Sequence, residues 1–272
     1  MTAGADRIGE TEPAPARAGA GLRVQGLSHS FGAGAQSILA LSDVDLDIAP
    51  GEFHCLLGPS GCGKSTLLYL MGGFIPVQRG SVETARGPVR RPGPDRGIVF
   101  QNFALFPWKT VRQNVLYGMA NLGVPKAERE ARASDLLAMV KLDKFADHYP
   151  SQLSGGMQQR AAIARTLAIE PDILLMDEPF GALDAQTRSI MQEELLAIWQ
   201  RTGKIVVFVT HDVHEAVLLG DRISVMSARP GRIATTVTSD FNSERDARVK
   251  RASEFARKVL DLSGLMHEQT LT

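Results

Sequence analysis

The chain has 272 residues, 44% hydrophobic and 22% charged, with a formal net charge of +0. Length and composition fit one large α/β domain or two small ones around a sizeable core. The charge balance implies no field-driven attraction to nucleic acid or acidic lipid, with a local basic patch left open, and two cysteines without zinc-type spacing argue against a disulfide scaffold.

Residues Met1–Ala20 are rich in Ala, Gly, Pro and Glu and lack an apolar stretch behind a basic start. They read as a disordered leader over 1–20 and not as a secretory signal. From Leu22 to Ile48 short alternating runs predict two strands of a small antiparallel sheet. Pro50-Gly51 marks a turn, and Phe53–Leu57 is a short apolar run that predicts a buried strand ending at Gly58. A glycine-rich segment follows, then a helix through the stretch LLYLMGGF. Residues Gly80–Gln101 hold turns and two strands, the second being GIVFQ.

Between Thr110 and Tyr149 the periodicity becomes helical, and another helix begins near Ser154 and is stopped by Pro171. Ile173–Asp177 is a buried strand, TRSIMQEELLAIWQRT a helix and KIVVFVT a strand. A short helix (DVHEAVLLG), a strand (DRISVMS), a strand after Gly231 and a helix over Ser243–Leu262 complete the chain. Strands alternating with helices predict a mostly parallel sheet covered on both faces, with an all-helical insertion over about 107–169. The longest apolar runs, such as Leu67–Met71, are about five residues, against the ~20 that a helical membrane span requires.

Two segments carry chemistry. Gly58-Pro59-Ser60-Gly61-Cys62-Gly63-Lys64-Ser65-Thr66 fits the G-x-x-x-x-G-K-[ST] pattern between a strand and a helix. Its glycines let several N–H groups converge on one phosphate, and the helix N-terminus adds its positive dipole end. Lys64 brings charge to the β- and γ-phosphates, and Ser65 offers a hydroxyl to Mg²⁺. Cys62 reads as a small residue without redox chemistry, though a bulky adduct there would obstruct the loop. Downstream, the strand Ile173–Asp177 is followed by Glu178. Phosphoryl chemistry needs one carboxylate at the metal, which suits Asp177, and one to orient the attacking water, which suits Glu178.

Between these segments, Leu153-Ser154-Gly155-Gly156-Met157-Gln158-Gln159-Arg160 resembles the signature motif of the ATP-binding-cassette (ABC) transporter family. In order, Gln101 looks like that family's Q-loop glutamine and Asp184 in Gly181–Asp184 like its D-loop. His211 looks like the switch histidine, and Phe31 like the aromatic under adenine. The resemblance spans Leu22–Arg232. Each position also has an ordinary structural reading: Gln101 as a strand-end polar residue, His211 as a structural histidine, Phe31 as core or surface, and Asp184 as an N-terminal acid starting the TRSIM helix, which is compatible with the D-loop reading. His214 reads as a solvated helix residue.

The resemblance implies an α/β P-loop fold with a small antiparallel β-subdomain, an ATPase domain over 21–240 and a helical tail over 241–272. It implies ATP and Mg²⁺ as ligands, with Ser65, Gln101 and Asp177 at the metal and Glu178, His211 and Gln101 at the reaction. Two copies would pair head-to-tail, each ATP held between one cradle and the partner's Ser154–Gly156 turn, a second helix N-terminus suited to an anion. A chain without a membrane span implies separate permease subunits, and the apolar residues Phe103, Leu105, Phe106 and Trp108 would border the groove that receives them, with ordinary core packing as the alternative for the aromatics. The stretches GPDRGIVFQ, FPW and SARPGRI further resemble ATPases of the nitrate, sulfonate and taurine importers. That likeness implies a solute-binding protein, a small anion as cargo, and a place on the cytoplasmic side of a bacterial plasma membrane. The alternatives are an ABC ATPase working on lipid or lipoprotein, or one acting on ribosomes or DNA.

Overall fold

The computed structural model describes residues 21–32, 34–239 and 253–271. The expected leader over 1–20 lies outside the described residues. β1 (Leu22–Phe31) and β2 (Ile38–Ile48) pair antiparallel, from Leu22 opposite Ile48 to Phe31 opposite Ile38. Alternation puts Leu22 and Val24 inward, and a register shift at Gln25-Gly26 resets it so that Leu27 and His29 follow. β3 (Phe53–Leu57) leads into α1 (Lys64–Gly72). β4 (Arg79–Thr84) and β5 (Gly87–Pro88) complete a four-stranded sheet in the order β2-β1-β4-β5. β6 (Arg96–Val99) opens the segment of chain that crosses to the larger sheet. The region 80–101 therefore carries three strands where the sequence predicts two. β5 is only two residues long and contains Pro88, too short to leave an alternating signature.

α2 (Val111–Asn121), α3 (Lys126–Met139) and α4 (Gly155–Ala168) pack on one another with no strand between them. Thr110 caps α2 through a reciprocal capping box with Gln113. α4 ends where Glu170 turns left-handed, at φ 52°, ahead of Pro171. β7 (Ile173–Asp177), α5 (Ala185–Thr202), β8 (Ile205–Thr210), α6 (Val213–Leu219), β9 (Arg222–Met226), β10 (Ile233–Thr238) and α7 (Ser253–Leu271) follow.

The second sheet has the order β10-β9-β3-β8-β7-β6, parallel except for the antiparallel edge strand β10. Every residue of β3, β7 and β8 is buried, because helices and the smaller sheet cover both faces. Phe53, Cys55 and Leu57 pack on the helical side, while Leu56, Val207 and Val209 pack toward the four-stranded sheet and α1. Each such side chain contributes about 1.5–3 kcal/mol on burial. A charge in the middle of β8, as in Val207→Asp, would break this layer, because an unpaired buried charge costs more than the lost burial.

α7 differs from its expected span. It is described over Ser253–Leu271, and the first residues of the expected helix, from Ser243, lie outside the described residues. It also continues past Leu262 through Gly264. A mid-helix glycine costs roughly 1 kcal/mol relative to alanine. Packing of Leu265 and Met266 on the core that holds Phe255, Val259 and Leu262 offsets that cost. Among the described residues no helix is long and apolar enough to cross a membrane.

Candidate nucleotide site

The cradle forms because the chain must turn sharply between Leu57, which ends β3, and Lys64, which begins α1. Gly61 and Gly63 adopt φ of 77° and 99°, values that residues bearing a Cβ rarely take. Space adds a second constraint, since a Cβ on Gly63 would sit 2.8 Å from Leu41 Cδ2. Lys64 Nζ donates to the carbonyls of Gly58 (2.8 Å) and Pro59 (2.9 Å), spanning the loop's opening. The same ammonium lies 3.9 Å from Glu178 Oε1.

β7 brings the carboxylates. Ser65 Oγ donates to Asp177 Oδ1 at 2.8 Å, and Tyr69 Oη donates to Asp177 Oδ2 at 2.8 Å. Burial, then the hydrogen bond to Asp177 and its charge, push the Tyr69 phenol up to about 12, so it remains a donor at neutral pH. Glu178 stands at φ 41° with its N–H donating to Val209 O at 3.1 Å. A left-handed non-glycine residue costs of order 1–3 kcal/mol and marks a position that the surroundings enforce. Here the turn sets the Glu178 carboxylate between Lys64 and His211, whose Nδ1 is 3.0 Å from Glu178 Oε2.

A cavity of about 360 Å³ lies over these groups, lined by Phe31, Ile38 and Ala40 at one side and by Ser60, Gly61, Gly63–Thr66, Glu178 and Arg229 elsewhere. Its size suits a small ligand. Phe31 is 47% exposed, which corrects any reading of it as core. Cys62 does not line the cavity. Its thiol is 1% exposed, and burial pushes its pKa up even though Lys64 pulls it down, so it has neither the access nor the thiolate character for chemistry. Ile38, Ala40, Arg229 and Tyr69 went unrecognised in the sequence. Only Arg229 had a signal there, inside SARPGRI.

The remaining predicted residues fall elsewhere. Gln101 is exposed in a turn, and its amide nitrogen lies 3.8 Å from where a Gly181 Cβ would stand; no hydrogen bond joins it to Ser65 or Asp177. Ser154 caps α4, its Oγ accepting from Met157 N at 3.4 Å, and Gln158 Nε2 donates to Leu153 O. Residues Leu153–Gln158 do not line the cavity of their own chain. Asp184 caps α5 by accepting from the N–H groups of Gln186 and Thr187, and hydrogen bonds from Thr187 and Gln186 hold its carboxyl below the usual range. Asp184 thus does start α5 as an acid at its N-terminus.

After Gln101 the chain passes through left-handed residues Phe103 and Ala104, whose carbonyls accept from Arg165 on α4. Phe103 is buried, so it belongs to the core. Trp108 is 70% exposed, and it joins Phe106 and Tyr117 in an aromatic group at the surface. His214 is solvated, as expected.

A strand–glycine loop–helix cradle facing a strand that ends in two carboxylates defines a P-loop nucleoside triphosphatase. The family model described as ABC transporter matches residues 41–181. The chain belongs to the ABC transporter family of ATP-binding proteins and is an ATPase. An uncharacterized ABC transporter ATP-binding protein of Methanocaldococcus jannaschii is 49% identical over 241 residues, 89% of this chain and 90% of the relative. The taurine import ATP-binding protein TauB of Rhizobium johnstonii is 48% identical over 237 residues, 85% of this chain and 90% of the relative. The nitrate import ATP-binding protein NrtD of Synechocystis is 44% identical over 251 residues, 90% and 94% of the two chains. A dimeric ATP-binding cassette solved in a post-hydrolysis state with ADP and Pi superposes with a TM-score of 0.70 at 35% identity. It covers 80% of this chain and 98% of its own.

Proposed function

We propose that this chain energises the import of a small anion of the taurine, sulfonate or nitrate type. It does so as one of two cassette copies held beneath a permease on the cytoplasmic side of a bacterial plasma membrane. The likeness to TauB and NrtD over most of the chain supports the cargo class, and the dimeric structural relative supports the pairing. The observation that carries the reading is a divided site. Lys64, Ser65 and Glu178 line one cavity, while the helix N-terminus at Ser154–Gly156 lies outside it, available to a second copy. We read residues 21–240 as the ATPase unit, with 107–169 inserted, and 241–272 as a tail.

In this reading Phe31 stacks on adenine, and the N–H groups of residues 58–66 and Lys64 hold the phosphates. Ser65 and Asp177 fit Mg²⁺, being hard oxygen donors already 2.8 Å apart, and Gln101 is assigned to the same ion by family likeness. When bound, Mg²⁺ neutralises charge on the phosphate oxygens. Glu178 orients the attacking water and takes its proton, and His211 holds that carboxylate in place. The partner's Ser154–Gly156 closes over the γ-phosphate, so hydrolysis removes the link between copies and opens the pair. The surface group of exposed Trp108 and Tyr117 with half-buried Phe106 is where the permease docks. Nothing in the geometry favours the lipid- or lipoprotein-handling alternative.

Affinity purification of the tagged chain from solubilised membranes tests this. Recovery of a multi-spanning permease and a solute-binding protein stabilised by taurine, an alkanesulfonate or nitrate is expected. Recovery of ribosomes, or of a lipid-handling membrane complex, would contradict it.

A further inference from the structure

Arg229 stands outside every motif that defines the family cradle, yet it lines the same cavity as Lys64, Ser65 and Thr66. Its loop, between β9 and β10, is fixed to β2. Ser42 N donates to Gly231 O at 3.0 Å, and Gly231 N donates to Ala40 O at 2.9 Å. From there the guanidinium reaches the cradle, where Nε donates to Gly61 O at 3.0 Å. That is its one hydrogen bond among the described residues, and none of their carboxylates pairs with it. The rest of the fork is therefore available to a ligand. A Cβ on Gly61 would come 3.2 Å from Nη2, so the guanidinium packs directly against the bare glycine of the loop.

Charge supplies the second half of the argument. Of the residues lining the cavity, Lys64 and Arg229 are cationic and Glu178 is anionic. A nucleoside polyphosphate carries several negative charges, and Lys64 is already shared between two carbonyls and the neighbourhood of Glu178. A planar fork is well suited to bidentate contact with phosphate. The sheet order β9-β3-β8-β7 brings Arg229 and Glu178 to the loop from opposite sides of β3. Arg229 thus faces the part of the ligand away from the hydrolytic carboxylate.

We propose that Arg229 is a second phosphate-binding cation of the nucleotide site, gripping the α- and β-phosphates that ATP and ADP share. The proposal rests on the nucleotide reading of the cavity given above. It requires charge at position 229, and not merely a donor that tethers the loop at Gly61.

The test measures ADP and ATP affinity of the full chain by calorimetry, without Mg²⁺, for Arg229→Lys, Arg229→Gln and Lys64→Ala. Arg229→Gln keeps a donor for Gly61 O and loses the charge; Arg229→Lys keeps the charge. We expect Arg229→Gln to weaken ADP and ATP alike by about five- to tenfold, with a shallower salt dependence. We expect Arg229→Lys, which keeps the charge and loses the fork, to fall between the native chain and Arg229→Gln. Arg229→Gln binding both nucleotides as the native chain does, or Arg229→Lys losing as much as Arg229→Gln, would overturn the proposal. Lys64→Ala separates the two levels. If it loses affinity while Arg229→Gln does not, only Arg229 is misassigned; if neither loses affinity, the cavity is not the nucleotide site.

Discussion

Tyr69 Oη donates to Asp177 Oδ2 at 2.8 Å while Ser65 Oγ, one helical turn earlier on α1, donates to Oδ1. Both oxygens of the proposed metal carboxylate are thus held by one face of one helix. The Tyr69 ring also packs against Phe100, the residue before Gln101, with centroids 6.1 Å apart.

Tyr69→Phe removes the donor and keeps the ring. Groups that orient a metal ligand typically change metal affinity by tenfold or more, so about tenfold more Mg²⁺ should be needed to strengthen nucleotide binding. A Mg²⁺ titration of nucleotide affinity checks this. An unchanged Mg²⁺ requirement would show that Tyr69 only fills space.

Both cysteines are buried, and the Cys62 thiol is pushed up by burial. The native chain should therefore resist a maleimide at neutral pH, with or without nucleotide, and react at both sites once unfolded. Rapid native modification of Cys62, read by mass spectrometry, would contradict the placement of its side chain.

Glu52 makes the pH dependence concrete. Burial alone would raise its pKa. The hydrogen bond from His54, the Ala49 N–H and the charges of His54 and Arg222 outweigh that and lower it from the ordinary 4.5. A depressed carboxyl contributes stability that is fully present above the unfolded value and lost as pH falls through the folded one. The gap in Tm between the native chain and Glu52→Gln should therefore be largest at pH 6–8 and shrink below about pH 4.5. A gap that is constant from pH 7 to pH 3 would show that Glu52 acts through packing.

Trp108 is 70% exposed, so Trp108→Ala should shift stability by less than about 0.5 kcal/mol and leave basal ATPase unaltered. Solute-stimulated ATPase of the assembled transporter should fall. Equal loss of basal and stimulated activity would place Trp108 in the core's service instead of the permease's.

What was legible in the sequence follows physical range. β3 and β7 announce themselves as mainly apolar runs because both faces are buried, and the glycine loop is local chemistry between a strand and a helix. Arg229 meets Gly61 across 168 positions, and Tyr69 meets Asp177 across 108, so neither contact leaves a spacing to read. The aromatics after Gln101 looked alike in sequence. Only the left-handed turn at Phe103 and Ala104, pinned by Arg165, decides that Phe103 goes inward and Trp108 outward. The helix expected to end at Leu262 continues, because packing of Leu265 and Met266 carries α7 on.

The most direct test is the mass of Glu178→Gln in solution by light scattering, with and without ATP, beside the same variant carrying Ser154→Arg. Completion of each site by a second copy predicts an ATP-dependent dimer for Glu178→Gln and a monomer that still binds ATP when Ser154→Arg is added. A Glu178→Gln chain that binds ATP tightly and remains a monomer would contradict the account.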